Sequence, residues 1–244
     1  MKRSRQPNRR DNRGVRQREI AVLYEDDSVI AIDKPAGLPA VPVAKNAKTA
    51  SAWSIVASEL RELRERRQRA YVVHRIDRFT SGVMLFAKAE RDRDTLVRQF
   101  LEHSPVREYM AVVRGHVEPA EGTLLHYFRK EGQIQKVSSR RDKKAARAEL
   151  QYLVERDLRK ASLVRVRLVT GLQNQIRVQF SATGHPVIGD RKYHPEEAKE
   201  KKIDRVALHA VRLEFTHPRT GKQIAIDCPV ARDIEALIRA IGGR

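Results

Sequence analysis

The chain has 244 residues, with 50 lysine and arginine against 31 aspartate and glutamate, a formal net charge of +19, and 41% hydrophobic residues. At about 150 residues per domain, this length suits one large domain or one domain with a small appendage, and the apolar fraction excludes a wholly disordered polycation, which could not bury enough surface to offset its chain entropy. The charge excess points to an anionic partner, and the single cysteine, Cys228, excludes an intramolecular disulfide and any zinc site that needs two thiolates.

Residues 1–19 hold eight basic and two acidic side chains and almost no large apolar residue, which reads as a solvated basic arm ahead of a folded domain at 20–244. No apolar h-region occurs there and nowhere do eighteen apolar residues run together, so neither a secretory signal nor a spanning helix is expected and the protein is placed in the cytoplasm. Short strand-like runs follow at Ile20–Tyr24 and Val29–Asp33, then the turn-rich Lys34-Pro35-Ala36-Gly37-Leu38-Pro39. From Thr49 to about Arg67, Ala50, Trp53, Ile55, Val56, Leu60 and Leu63 recur at helical spacing, with candidate caps between Asn46 and Thr49. Val83–Lys88 reads as a strand, Ala89–Leu101 as a helix, and Glu108–Arg114 as a strand with Tyr109, Ala111 and Val113 on one face.

Segment 129–147, with eight basic and two acidic residues broken by Gly132 and Ser138-Ser139, reads as a mobile basic loop between strands. Ala148–Glu155 and Ser162–Val169 form an antiparallel hairpin pattern, Val164, Val166 and Leu168 facing one way and Arg165 and Arg167 the other. Gln175–Thr183 is a short helix stopped by Gly184, and Ala231–Ile241 a helix striped by Ile234, Leu237 and Ile238. Strands and helices interleave without a regular βαβ beat, so the expected class is α+β: a mostly antiparallel mixed sheet flanked by helices and loops.

The chemically informative stretch is Val73-His74-Arg75-Ile76-Asp77-Arg78-Phe79-Thr80-Ser81-Gly82. A carboxylate between two arginines is held ionised by their charge, which suits a nucleophile; an Asp–Arg pair stabilising a turn fits the same residues. A serine hydrolase built on His74, Asp77 and Ser81 is excluded, because Ser81 stands in no GxSxG elbow. Neither GxGxxG nor GxxxxGK[ST] occurs, which removes dinucleotide and nucleoside-triphosphate chemistry. The eight histidines lack HExxH or paired ligand spacing, so no metal site is expected, and no helix-turn-helix pattern supports DNA binding.

His74-Arg75-Ile76-Asp77 with Thr80-Ser81-Gly82 resembles the HRLDxxTSG signature of the RluA-type pseudouridine synthases. Further segments resemble that family's motifs in the same order: Lys34-Pro35-Ala36-Gly37, Arg107-Glu108-Tyr109 with Ala111, Val113 and Gly115, Gln175-Ile176-Arg177-Val178, Gly184-His185-Pro186-Val187-Ile188-Gly189-Asp190, and Leu208-His209-Ala210 with His217-Pro218 and Thr220-Gly221. The resemblance implies the pseudouridine synthase catalytic fold and isomerisation of uridine to pseudouridine in ribosomal or transfer RNA, with no cofactor, no metal and no obligate protein partner. It implies that Asp77 is the catalytic aspartate, Arg177 its ionic partner, Tyr109 the ring against a flipped uracil, and Arg75 the group that fills the vacated space or grips its phosphate. By the same resemblance Lys130, Lys136, Arg140, Arg141, Lys143 and Lys144 contact RNA, while Lys88, Asp190 and His185 hold the site's walls.

One departure stands out: Thr170-Gly171-Leu172-Gln173-Asn174-Gln175-Ile176-Arg177 carries Leu172 and Asn174 where the family pattern has an arginine and a histidine. That change and the heavy positive charge leave a second reading open, a non-catalytic RNA-binding or remodelling protein that retains the fold. If the arm contributes to the RNA grip, deleting residues 1–19 weakens RNA binding and flattens its dependence on salt without removing turnover, since released counterions scale with neutralised phosphates. Binding titrations at several salt concentrations measure this, and an unchanged slope contradicts it.

Overall fold

The computed structural model describes residues 20–44, 49–62, 69–196 and 203–242. The basic arm at 1–19 and the helical expectation for 63–67 lie outside the described residues. The element order is β1 (Ala21–Glu25), β2 (Val29–Lys34), α1 (Ala52–Glu62), β3 (Tyr71–Val72), β4 (Ser81–Ala87), α2 (Glu90–Leu101), β5 (Val106–Arg114), β6 (Glu121–Glu131), β7 (Ile134–Ser138), β8 (Ala146–Leu158), β9 (Ala161–Leu168), α3 (Gln175–Ala182), β10 (Leu208–Thr216), β11 (Gln223–Asp227) and α4 (Arg232–Ile241). Among the described residues no helix is long and apolar enough to cross a membrane.

Among the described residues eleven strands join one sheet in the order β1-β2-β4-β10-β5-β9-β8-β6-β7, with β11 paired to β10 and β3 to β4. Every described pairing is antiparallel except β4 with β10, which run parallel through His209 opposite Ser81 and Ala210 opposite Gly82. The two-residue period of β2 and β4 feeds two cores. Val29, Ala31, Val83 and Leu85 enter the main core, which also takes Ile234, Leu237 and Ile238 of α4. Ile30, Ile32, Met84 and Phe86 face the other way, against Ala52, Ile55, Val56 and Leu60 of α1. A strand covered on both faces must be apolar throughout, and β4 is buried at all seven positions.

Helix α1 starts at Ala52, later than the periodicity suggests, because Ser51 and Ser54 cap it reciprocally: the Ser54 N–H donates to Ser51 Oγ at 3.1 Å and the Ser51 N–H to Ser54 Oγ at 2.9 Å. Ala50 stays exposed before the helix. The expected loop at 129–147 is corrected: it is the end of β6, all of β7, a turn at 139–145 and the start of β8. Gly132, at φ 58°, makes the tight β6–β7 turn, and β6 pairs with β8 as well as β7. The turn is held by Asp142, which accepts from Ser138 Oγ at 2.8 Å and from the Lys144 N–H at 2.9 Å. Ile134, Lys136 and Val137 of β7 are all exposed, so no buried stripe marks this strand in the sequence.

The parallel crossing of β4 and β10 leaves no room for a side chain. Gly82 has φ 111°, and a Cβ there would lie 2.2 Å from the Ala210 carbonyl oxygen. Gly82→Ala should therefore cost about 3 kcal/mol or more of stability through overpacking and backbone strain, seen as a lowered midpoint in urea unfolding; a wild-type midpoint contradicts the account.

Candidate active site

Asp77 opens a β-turn immediately before β4, closed by the Thr80 N–H donating to the Asp77 carbonyl at 3.1 Å. The turn is clamped from behind by Lys34, a fully buried lysine whose Nζ donates to the carbonyls of Pro35 and Leu38 at 2.9 Å each and of Arg78 at 3.2 Å. Gly37 completes the clamp, its N–H donating to the Arg78 carbonyl at 2.8 Å and its carbonyl accepting from Arg78 Nε at 3.0 Å. Burial pushes the Lys34 ammonium down to about 7, with Asp77 partly offsetting that loss. The sequence marks Lys34 only as part of a motif; its task becomes visible once the turn lies over it.

Arg177 comes to Asp77 from the first turn of α3, a hundred residues later, with Nη1 3.4 Å from Asp77 Oδ2. Its shorter bonds go elsewhere. Nε and Nη2 grip the buried Asp190 in a two-point fork at 2.8 and 2.7 Å, and Nη1 also donates to Asn174 Oδ1 at 2.8 Å. The expected pairing of Arg177 with Asp77 is present, and Asp190, which the pairing did not include, anchors the guanidinium while Asp77 receives its remaining edge. Asn174, at φ 56°, sits in the left-handed region that asparagine tolerates, and its Nδ2 donates to the Tyr193 hydroxyl at 2.9 Å. Asn174 is therefore a support of Arg177, and Leu172 packs beside the small core of Phe128, Ala148 and Val178.

The two sequence neighbours of Asp77, Arg75 and Arg78, are exposed. Burial raises the proton affinity of the Asp77 carboxyl above the usual range, while the cations that pull it back are Arg177 and Lys192. The net shift is upward, so the reading of a carboxylate held ionised by its flanking arginines is corrected: distant elements supply the counter-charge and do not fully offset desolvation. Burial opposes the charge on Arg177, and the bonds to Asp190 with the charge of Asp77 more than restore it.

Tyr109 lies on β5 opposite Ala210 of β10 and Val166 of β9, and is buried. Burial pushes its phenol up to about 12, with Arg107 opposing and Asp77 adding to the rise, so it is protonated at neutral pH. Arg107, two residues earlier, is also buried; its Nη2 reaches the Val169 carbonyl at 3.4 Å and its Nε has no hydrogen-bond partner among the described residues. Gly171 is what admits it, since a Cβ there would stand 2.4 Å from Arg107 Nη1. Sequence reasoning passed over Arg107, whose signal was only its place in the motif with Tyr109.

Arg75, Asp77, Tyr109 and Arg177 line one open cleft of about 1020 Å³, together with Arg107 and the 171–176 segment. The other expected contact residues do not reach it. Lys130 is on β6, Lys136 on β7, and Arg140, Arg141, Lys143 and Lys144 are on the turn that follows, all exposed and outside the cleft lining. Lys88 pairs with Glu25 at 2.6 Å and His185 Nδ1 lies 3.0 Å from the Arg114 carbonyl, so of the three expected wall residues only Asp190 supports the site. Among the described residues, one group of metal-capable donors, Asp33, His209 and Cys228, has ligand atoms within 4.8 Å of one another, away from the cleft lining. There His209 Nδ1 meets Ser81 Oγ at 2.7 Å, and burial with the Asp33 carboxylate pushes the Cys228 thiol up.

A family model described as RNA pseudouridylate synthase matches residues 28–182. The chain is 32% identical over 230 residues to ribosomal large subunit pseudouridine synthase D of Zymomonas mobilis, covering 91% of this chain and 73% of that protein. It is 34% identical over 225 residues to the dual-specificity RNA pseudouridine synthase RluA of Vibrio parahaemolyticus, covering 89% and 86%. In fold it is similar to human RNA pseudouridylate synthase domain containing 4, with a TM-score of 0.75 at 22% identity over 90% of this chain and 92% of that one.

Since Asp190 and Arg177 are 1% and 8% exposed, Asp190→Asn leaves a buried guanidinium short of its counter-charge and should cost about 3 kcal/mol. Urea unfolding measures it, and a change under a third of that value contradicts the role given to Asp190.

Proposed function

The chain belongs to the RNA pseudouridylate synthase family and is an RNA pseudouridine synthase, and from that membership we propose that it isomerises uridine to pseudouridine in structured ribosomal or transfer RNA, with Asp77 as the catalytic carboxylate. The observation that carries this reading is the meeting of Asp77 and Arg177 at 3.4 Å, in a cleft that Tyr109 also lines. In the reaction the N1–C1′ bond breaks, the uracil turns in place, C5 bonds to C1′, and the proton on C5 leaves while N1 gains one. No electrons are gained or lost overall, and no group enters from outside.

Each side chain has a task in that sequence. Asp77, whose proton affinity is raised by burial, is a better base and nucleophile than an exposed aspartate. Two routes use it: addition of the carboxylate to the sugar or base, and removal of a ribose proton in an elimination. Arg177, fixed by Asp190, orients the carboxylate and balances its charge without competing for it as a tight pair. Tyr109 offers a ring face to the uracil and a protonated hydroxyl as hydrogen-bond donor. A uridine stacked in RNA cannot reach Asp77, so it must be extruded, at a cost of a few kcal/mol that backbone contacts offset. Arg75, exposed at the rim of the cleft, is placed to meet the phosphate or fill the gap. The exposed cations of the β6–β7 hairpin and its following turn serve as more distant RNA contacts.

The alternative of a non-catalytic RNA binder rests on the positive charge, which both readings share, and on Leu172 and Asn174; the hydrogen bond from Arg177 to Asn174 at 2.8 Å gives this asparagine a supporting place beside the carboxylate. Asp77→Asn should lower pseudouridine formation by about a thousandfold or more while RNA binding persists. Mapping of pseudouridines in total RNA from cells carrying either form checks it, and full activity in the variant overturns the assignment.

A further inference from the structure

The turn that presents Asp77 puts a phenylalanine at its tip. Phe79 is 47% exposed at the third position of that turn. Nothing in the turn needs the ring: the backbone is closed by Thr80 and clamped by Lys34 and Gly37. One exposed aromatic is ordinary on a protein surface; what sets Phe79 apart is that it lines a chamber together with Asp77. Arg78 lies against the ring, its Cζ 5.4 Å from the centroid.

Phe79 and Arg78 line a second chamber of about 380 Å³, which shares Asp77, Asn174 and Arg177 with the main cleft and is completed by Arg191, Lys192 and Arg205. Its size stands at the lower end of small-ligand pockets, about 300–1,000 Å³, which suits one nucleotide. Several of its cations are already engaged: Arg177 by Asp190, Arg205 by Asp233 at 2.6 Å, and Arg191 by Asp204 at 4.0 Å. Arg78 and Lys192 have no carboxylate partner within salt-bridge distance among the described residues; Lys192 Nζ spends one proton on the Gln133 carbonyl at 2.8 Å. The chamber thus offers an aromatic face and two cations with spare hydrogen-bond donors, opening beside the catalytic carboxylate.

We propose that this chamber binds the nucleotide next to the target uridine, its base stacked on Phe79 and its phosphate held by Arg78 and Lys192. The inference rests on the reading of Asp77 as the catalytic residue of an RNA-modifying site. Stacking tolerates any base, so the contact steadies the strand on one side of the extruded uridine and leaves the choice of sequence to other contacts. Because Phe79 touches the flanking nucleotide only, it acts on binding and not on the bond changes.

The test replaces Phe79 by the photo-crosslinker p-benzoylphenylalanine in the full chain, irradiates it with total cellular RNA, and sequences the linked nucleotides. In parallel, pseudouridines that depend on the protein are mapped with the wild type and with Asp77→Asn. Crosslinks one nucleotide from those uridines are expected. Phe79→Ala should raise KM for an RNA carrying a mapped site about tenfold with kcat unchanged, and Phe79→Trp should restore it. Crosslinks to protein, crosslinks at no fixed offset, or an unchanged KM in Phe79→Ala overturn this inference while pseudouridine formation by the wild type leaves the broader reading intact. If no pseudouridine depends on the protein, both fall.

Discussion

The buried pair of Arg177 and Asp190 is the interaction around which the site is built. Removing two charges from water is expensive, and their attraction repays it only when the remaining donors and acceptors are also satisfied. Here they are. Asp190 takes both Nε and Nη2 of Arg177 and also accepts the Lys192 N–H at 3.0 Å and the Tyr193 N–H at 3.2 Å. Arg177 lies against the Tyr193 ring, 5.1 Å from its centroid, and gives Nη1 to Asn174. A guanidinium held at so many points has one edge left, and that edge faces Asp77.

A second buried cation governs the other partner. Lys34 sits among carbonyl oxygens, without a carboxylate in salt-bridge contact among the described residues, and fixes the backbone of the turn that carries Asp77. Carbonyl dipoles solvate an ammonium less well than water does, which is why burial depresses its proton affinity so far. The cost is local and the return is positional, since Asp77 stands on a turn tied at both ends to β2 and β4. The parallel crossing at Gly82 then brings β10, and with it β5 and Tyr109, beside that turn. Position in this site comes from strands and clamps.

The electrostatics of the cleft follow from the same packing. Desolvation raises Asp77 and Tyr109 together, giving a more basic carboxylate next to a phenol that keeps its proton. Arg107, buried without a counter-ion in salt-bridge contact among the described residues, adds positive potential to the cleft. Farther out, the β6–β7 hairpin carries exposed cations on a hydrogen-bonded frame. It is joined to the site by the Tyr193 hydroxyl, which accepts from the Gln135 N–H at 3.3 Å and from Asn174. Lys136 on the outer strand β7 places a charge on an open sheet edge, which disfavours pairing with another chain.

Much of this was legible in the sequence, for a physical reason: periodicity is a local property. The continuous apolar run of β2, the alternation in β8 with β9, the stripe of α4, and the run from Ala89 to Leu101 each report packing against a core, and the structure has these elements within a few residues. The ordered motifs named the family and brought Asp77, Tyr109 and Arg177 into one list. What no local pattern contains is which groups meet across the chain. The strand β7 is hidden because its exposed Ile134, Lys136 and Val137 leave no apolar stripe, β6 shows only a half-covered face ending at the buried Phe128, and β10 and β11 are marked only by motif residues. The role of Lys34 depends on a turn 44 residues away, and the partner of Arg177 is decided by the path of the chain after α3. Even the direction in which Asp77 is shifted was misread from its neighbours, because Arg75 and Arg78 are exposed while Arg177 and Lys192 supply the field. Sequence determined the chemistry available to this protein; tertiary structure decided which charges lost their water, and therefore which of them act on the carboxylate.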